Sequence, residues 1–140
     1  MKQYTIKEVS HMMNLPASTI RYYDKEGLLP FIERSESGYR VFHENDITLL
    51  RVIECLKKTG MPIKEIHQFI EWIQQGDDSL EQRYQMFVQR KQIVKDQIAE
   101  LSATLEIINY KCQYYAQAIA AGTEQIHFQG DFSSKLPCEK

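Results

Sequence analysis

The sequence predicts a mainly α protein in two parts: short helices around a hairpin, then one long helix. Three observations carry this. Three of the four prolines (Pro16, Pro30, Pro62) and four of the six glycines (Gly27, Gly38, Gly60, Gly76) fall within residues 1–76 and cut that half into short elements. From Ser79 to Ala121 there is neither Gly nor Pro, which permits an uninterrupted helix. Along that stretch apolar residues recur every seven positions, as in a helix that packs against another helix.

The elements follow in order. Thr5 is placed to cap a helix from Ile6 to about Met13, with Glu8 three residues on as its capping-box partner. A second helix runs from about Ala17 to Glu26 and stops at Gly27. Pro30–Arg34 and Gly38–Phe42 read as two short extended runs joined by a turn at Ser35–Ser37. A third helix spans about Asn45–Thr59, with an apolar stripe of Leu49, Val52, Ile53 and Leu56 and a stop at Gly60. Pro62 opens a fourth helix, whose buried face is Ile63, Ile66, Phe69, Ile70 and Ile73. The acidic run QQGDDS breaks that helix, and Ser79 is expected to cap the next. Gly122 ends the long helix. The expected organisation is a head over residues 1–75, a hinge at 76–79, a long helix over 80–121 and a polar tail over 122–140.

Composition narrows the function classes. The chain has 140 residues, 43% hydrophobic and 26% charged, with a net charge of −2. That is ordinary globular composition, and it does not announce a nucleic-acid binder. Residues 1–75 hold ten Lys/Arg and ten Asp/Glu, so any DNA contact must come from a few placed cations. Cys55, Cys112 and Cys138 are too few and too scattered for a disulfide framework or a zinc pair. No apolar run is long enough to span a membrane, and MKQYTIKEVS lacks the apolar core of a signal peptide. A cytoplasmic protein with reduced thiols and no membrane partner is expected. No Ser/His/Asp set, glycine-rich phosphate loop or paired carboxylates stand out, so no enzyme and no catalytic residue are expected.

The spacing from Ile6 to Leu28 is that of a helix-turn-helix. Val9, Met13, Leu15, Ile20 and Tyr23 point into the angle between the first two helices. Ser10 is small where they approach, and Asn14 tolerates the left-handed conformation that the sharp turn needs. In such motifs the second helix lies in the major groove and its N-terminal residues meet base edges. Here those are Ala17, Ser18 and Thr19, with Arg21 and Tyr22 in reach of bases or phosphates. Two small core helices without a DNA role remain the alternative at this point.

The run TIRYYDKEGLLP, then SGYRVFHENDI, then LKKTGMPIKEI resembles the MerR family of bacterial transcription factors over residues 4–73. The resemblance implies a winged helix-turn-helix, the hairpin being one wing and the third and fourth helices the other. It implies a homodimer that bends and untwists double-stranded promoter DNA so that RNA polymerase engages it. Within that frame Tyr39 and Arg40, on the returning strand, are placed to grip phosphate. Lys57, Lys58 and Lys64 flank the Gly60 turn as further anchors, since holding a deformed duplex takes several spaced contacts. A solvated surface charge is the alternative for each.

In the long helix one apolar column is Leu80, Phe87, Val94, Leu101, Ile108 and Tyr115. The other is Tyr84, Lys91, Ile98, Leu105, Cys112 and Ile119, broken only by Lys91. As helix, residues 80–121 extend about 63 Å with no core of their own to lie on, so a partner is expected to cover the stripe. A fold-back onto the head is the alternative. The family resemblance implies an antiparallel coiled coil.

The residues after 121 are too few for a ligand-binding domain, and His11, His43, His67 and His127 are scattered, so no metal and no cofactor are expected. Metal bridging between subunits through Cys112 stays open. Cys55 is the better sensor candidate. Arg51 and Lys58 share its surface on the third helix and favour thiolate, although the helix C-terminus opposes an anion. The strings IECLKKTGMPIKEI, GDDSLEQR and NYKCQYYAQAIAAGTE resemble the aldehyde- and thiol-stress-responsive branch of the MerR family, whose members carry a single cysteine at the position of Cys55. That implies a switch driven by electrophiles or oxidants. The alternatives are a packing role for Cys55, another or no effector, and a coiled-coil adaptor that does not touch DNA. Cys112 reads as seam packing and Cys138 as incidental.

Overall fold

The protein is described by a computed structural model over residues 2–128. It divides between Arg90 and Lys91 into two compact units.

In the first unit, α1 spans Ile6–Met13 and α2 Ala17–Lys25. Thr5 caps α1 as expected: its hydroxyl accepts from the Glu8 amide at 3.1 Å, and the Glu8 carboxylate accepts from the Thr5 amide at 2.9 Å. Asn14 ends the helix in the left-handed region, with φ 53°. The Ser10 hydroxyl donates to the Leu15 carbonyl and fastens the turn from inside. Pro16 then presets the backbone, with φ −58°, for entry into α2.

The hairpin is shorter than the sequence suggests. Its strands, β1 at Glu33–Arg34 and β2 at Arg40–Val41, have two residues each and pair antiparallel, Glu33 opposite Val41. Phe42 pairs instead with Tyr4, across 2.8 and 2.9 Å backbone bonds, so the N-terminus joins the hairpin as a third edge. The Tyr4 hydroxyl donates to Glu44 at 2.6 Å. That bond, ahead of burial and the carboxylate's charge, raises the Tyr4 pKa.

Helix α3 (Glu44–Lys58) starts where the Asp46 carboxylate accepts from the His43 amide at 2.8 Å. Its buried stripe is Ile47, Leu50, Ile53 and Leu56, whereas Leu49 and Val52 are only half-buried. The expected stripe was rotated by part of a turn, because the core lies under Ile47 and Leu50 while Leu49 and Val52 face an open apolar hollow with Phe31, Phe69 and Ile73. Gly60, at φ 91°, ends the element. Helix α4 (Ile63–Gln75) buries Ile66, Phe69 and Ile70 and half-buries Ile63 and Ile73.

A 3-10 turn, Gly76–Ser79, leads into α5 (Leu80–Ala121). Ser79 does not cap α5 as expected. Its hydroxyl is fully buried, donates back to the Trp72 and Gly76 carbonyls and accepts from Arg83 Nε. Arg83 also donates to the Gly76 carbonyl at 2.8 Å. The ring of Phe87 meets Phe69 edge-on at 5.4 Å, which seats the first turns of α5 on the head. The core of the head comprises Val9, Ile20, Tyr23, Leu28, Leu29, Phe42, the α3 stripe, Met61 and the three α4 residues.

In the second unit, Gly122 (φ 76°) ends α5 and a short turn, Glu124–His127, folds back on the last helical turns. His127 stacks on Tyr114 at 3.9 Å, and its Nε2 lies 2.9 Å from the Tyr114 carbonyl oxygen. The Tyr114 hydroxyl donates to Glu124 at 2.7 Å, and that bond, ahead of burial and the charge on Glu124, pushes its pKa up to about 12. Part of the expected polar tail is thus ordered against the helix. Cys138 lies outside the described residues.

Two outcomes are expected. Gly27 sits at φ +79°, and an added Cβ would come 3.0 Å from His67 Nε2. The Gly27→Ala variant should lose about 1 kcal/mol or more, read as a lower urea midpoint at unchanged slope. The raised Tyr114 pKa means that the protonated phenol is favoured by the fold. Its contribution is complete below pH 10.0 and lost as pH rises through about 12. Amide exchange at Gln125–Phe128 should therefore lose protection over that interval, and a Tyr114→Phe variant should not show the same pH step.

Candidate nucleic-acid interface

Helix α2 turns Ile20 and Tyr23 inward and presents its other sides outward. Ser18 and Arg21 are exposed, Ala17 and Thr19 half-buried, and Tyr22 is 47% exposed. Arg21 has no ion-pair partner among the described residues. The inward Tyr23 hydroxyl donates to Glu54 of α3 at 2.5 Å, and burial first, then this bond, raises its pKa well above the usual phenol range. That bond and the Ile20 contact fix the roll of α2, and so which residues face out.

The hairpin is oriented by a carboxylate that sequence reading missed. Asp24, near the end of α2, accepts from Arg40 Nε at 2.6 Å and lies 3.8 Å from Arg34 NH2. One acidic side chain therefore holds both strands, and Arg40 is partly engaged by it rather than fully free for phosphate. Arg34 donates its other nitrogen to the Gly38 carbonyl at 2.9 Å. The turn closes through Gly38 N–H to the Ser35 carbonyl at 2.9 Å and Tyr39 N–H to Ser35 Oγ at 3.1 Å. Tyr39 projects from this tip, 76% exposed.

Lys57 and Lys58 at the end of α3, and Lys64 in the first turn of α4, are exposed. Lys64 borders the same hollow as Tyr22, so the structure brings one expected anchor beside α2. The even charge count of residues 1–75 conceals a division of labour. Glu8, Asp24, Glu44, Asp46 and Glu54 accept hydrogen bonds inside the head. Arg21, Lys57, Lys58 and Lys64 stand without ion-pair partners among the described residues. Cys55 is exposed on α3, one turn from Arg51 and Lys58.

On α5 the apolar columns are uncovered. Ile98 is 60% exposed, Leu101 69%, Leu105 55%, Ile108 53% and Ile119 80%, and Cys112 is exposed too. Phe87, Val94 and Tyr115 share these columns, Phe87 leaning in part on Phe69. Among the described residues no group of three His, Cys, Asp or Glu side chains is placed to hold a metal ion, and no helix is long and apolar enough to cross a membrane.

Residues 4–71 match the MerR HTH regulatory protein family, and residues 47–109 match the MerR DNA-binding family. An uncharacterized HTH-type transcriptional regulator of Haemophilus influenzae is 42% identical, over 86% of this chain and 89% of its own. The HTH-type transcriptional regulator AdhR of Bacillus subtilis is 31% identical over 62% of each chain. Among solved structures, that of HiNmlR, a MerR family regulator lacking the sensor domain and bound to promoter DNA, superposes with a TM-score of 0.85. It is 40% identical and covers 89% of this chain and 99% of its own.

The Asp24 clamp separates two expectations. On charge alone, removing Asp24 should strengthen DNA binding by relieving repulsion of phosphate. Because Asp24 orients the hairpin, Asp24→Ala should instead weaken it by about tenfold (about 1.4 kcal/mol), measured by fluorescence anisotropy on the protein's own upstream DNA.

Proposed function

This chain belongs to the MerR family of DNA-binding transcriptional regulators, and we propose that it works as a homodimer that grips and deforms its promoter under control of the Cys55 thiol. The observation that carries the DNA reading is the outward face of α2 beside the exposed hairpin tip, in a fold shared with a regulator crystallised on promoter DNA. In this reading Ala17, Ser18, Thr19, Arg21 and Tyr22 meet the major groove. Tyr39, Arg40, Lys57, Lys58 and Lys64 hold phosphates on either side. Residues 1–75 serve as the head, 76–79 as the hinge and 122–140 as the tail. RNA polymerase is the partner that benefits from the altered duplex.

Residues 80–121 supply the dimer seam. Exposed apolar columns over 42 helical residues favour a second copy as cover, and the family pattern makes the pairing antiparallel. Phe87, Val94, Ile98, Leu101, Leu105, Ile108, Cys112, Tyr115 and Ile119 line it.

Support for thiol control comes from position. Cys55 is open to solvent, its neighbours Arg51 and Lys58 are cationic, and Lys57 and Lys58 lie within a turn of it. Attack by the Sγ thiolate on an aldehyde carbonyl carbon forms an S–C bond as the C=O π bond opens, and the oxygen takes up the proton that the thiol gave up, leaving a hemithioacetal. The adduct then sits beside two of the phosphate anchors, where it shifts their aim. The likeness to the aldehyde- and thiol-stress branch in IECLKKTGMPIKEI supports the same reading.

Three variants test these assignments. Arg21→Ala with Arg40→Ala should abolish specific DNA binding while sedimentation still reports a dimer. Leu101→Glu with Leu105→Glu should yield monomers and lose tight binding; persistence of the dimer would refute the seam. Cys55→Ser should bind DNA normally but lose the response of in vitro transcription to formaldehyde or methylglyoxal, and a full response would remove Cys55 as the sensor.

A further inference from the structure

A groove between α4 and the first turns of α5 has no role in the reading above. It encloses about 370 Å³, within the size range of small-molecule sites. Trp72 and Met86 are half-buried in its wall, and Glu65 and Glu81 stand at its rim. The remaining lining residues are glutamines; no Lys, Arg or His contributes. Neither carboxylate has an ion-pair partner among the described residues, although Gln85 donates to Glu81 at 3.2 Å. The Trp72 ring has no aromatic partner among them either.

We propose that this groove binds a small organic cation with an apolar body, at a site separate from the Cys55 thiol. An indole face attracts a cation through its quadrupole, a thioether adapts to an apolar body, and two carboxylates without ion-pair partners repel anions and favour positive charge. A bare metal ion fits poorly, since no three ligating side chains converge there among the described residues.

In the dimer proposed above, the groove lies off the seam. At about 3.6 residues per turn, its α5 residues Glu81, Gln82, Gln85, Met86 and Gln89 lie on the side of the helix opposite Leu80, Tyr84 and Lys91. The groove lies next to the elbow of the head, since its wall residue Trp72 also offers its backbone carbonyl to the buried Ser79 hydroxyl.

Trp72 is the only tryptophan in the chain, so its emission reports the site directly. Tetrapropylammonium and agmatine, titrated separately into the full-length protein without DNA, should each give a saturable change in emission. Butanesulfonate should give none. Glu65→Gln with Glu81→Gln should weaken cation binding at least tenfold while leaving DNA affinity intact, and Cys55→Ser should bind the cations as the unaltered protein does. Absence of a saturable response to both cations, an equal response to the sulfonate, or unchanged affinity in the double variant would overturn the proposal. Loss of cation binding in Cys55→Ser would overturn the separateness of the two sites. None of these results depends on whether Cys55 proves to be the sensor.

Discussion

The orientation of α2 is the constraint on which the rest of the head depends. Fourteen buried side chains from α1, α2, α3, α4 and the segments between them form one core, and α2 contributes only Ile20 and Tyr23 to it. Two inward anchors three residues apart define a single buried edge and leave the remaining faces free. The left-handed Asn14 and the Ser10 hydroxyl set where α2 begins, and the Tyr23–Glu54 bond sets its roll. A small head can therefore hold a helix firmly while spending little of that helix's surface on holding it.

The same economy explains how a chain with a net charge of −2 serves a nucleic-acid partner. Five of the ten acidic residues of 1–75, among them Glu8, Asp46 and Glu54, are drawn into helix starts and inter-element bonds. Lysines and Arg21 stay outside. In the proposed interface, local field rather than total charge meets the phosphates.

Features set by near neighbours were legible in the sequence. The Thr5–Glu8 box, the turn at Asn14, the stop at Gly60 and the opening at Pro62 all depend on residues within a few positions, and each stands as expected. The uninterrupted α5 was legible for the same reason. Features set across the fold were not. The strands are short because Phe42 pairs with Tyr4 instead, and nothing near either residue announces that pairing. The stripe of α3 differs from the expected one because Leu49 and Ile47 are equally apolar, and only the packing of the whole head decides which of them is buried. Ser79 looked like a cap, yet its acceptors lie behind it in the chain. Of the residues expected to contact DNA, Arg21, Tyr22 and Tyr39 are exposed. The partnership of Asp24 with Arg34 and Arg40 spans 10 and 16 positions and left only its charge signs as a clue.

That partnership has a mechanical meaning. A carboxylate shared by two guanidinium groups on neighbouring strands ties α2 to the hairpin. In the proposed interface, tension in the sugar-phosphate chain at the hairpin is felt as a tilt of α2, and stiffness and width of the duplex become part of what the protein distinguishes, alongside the letters of its site.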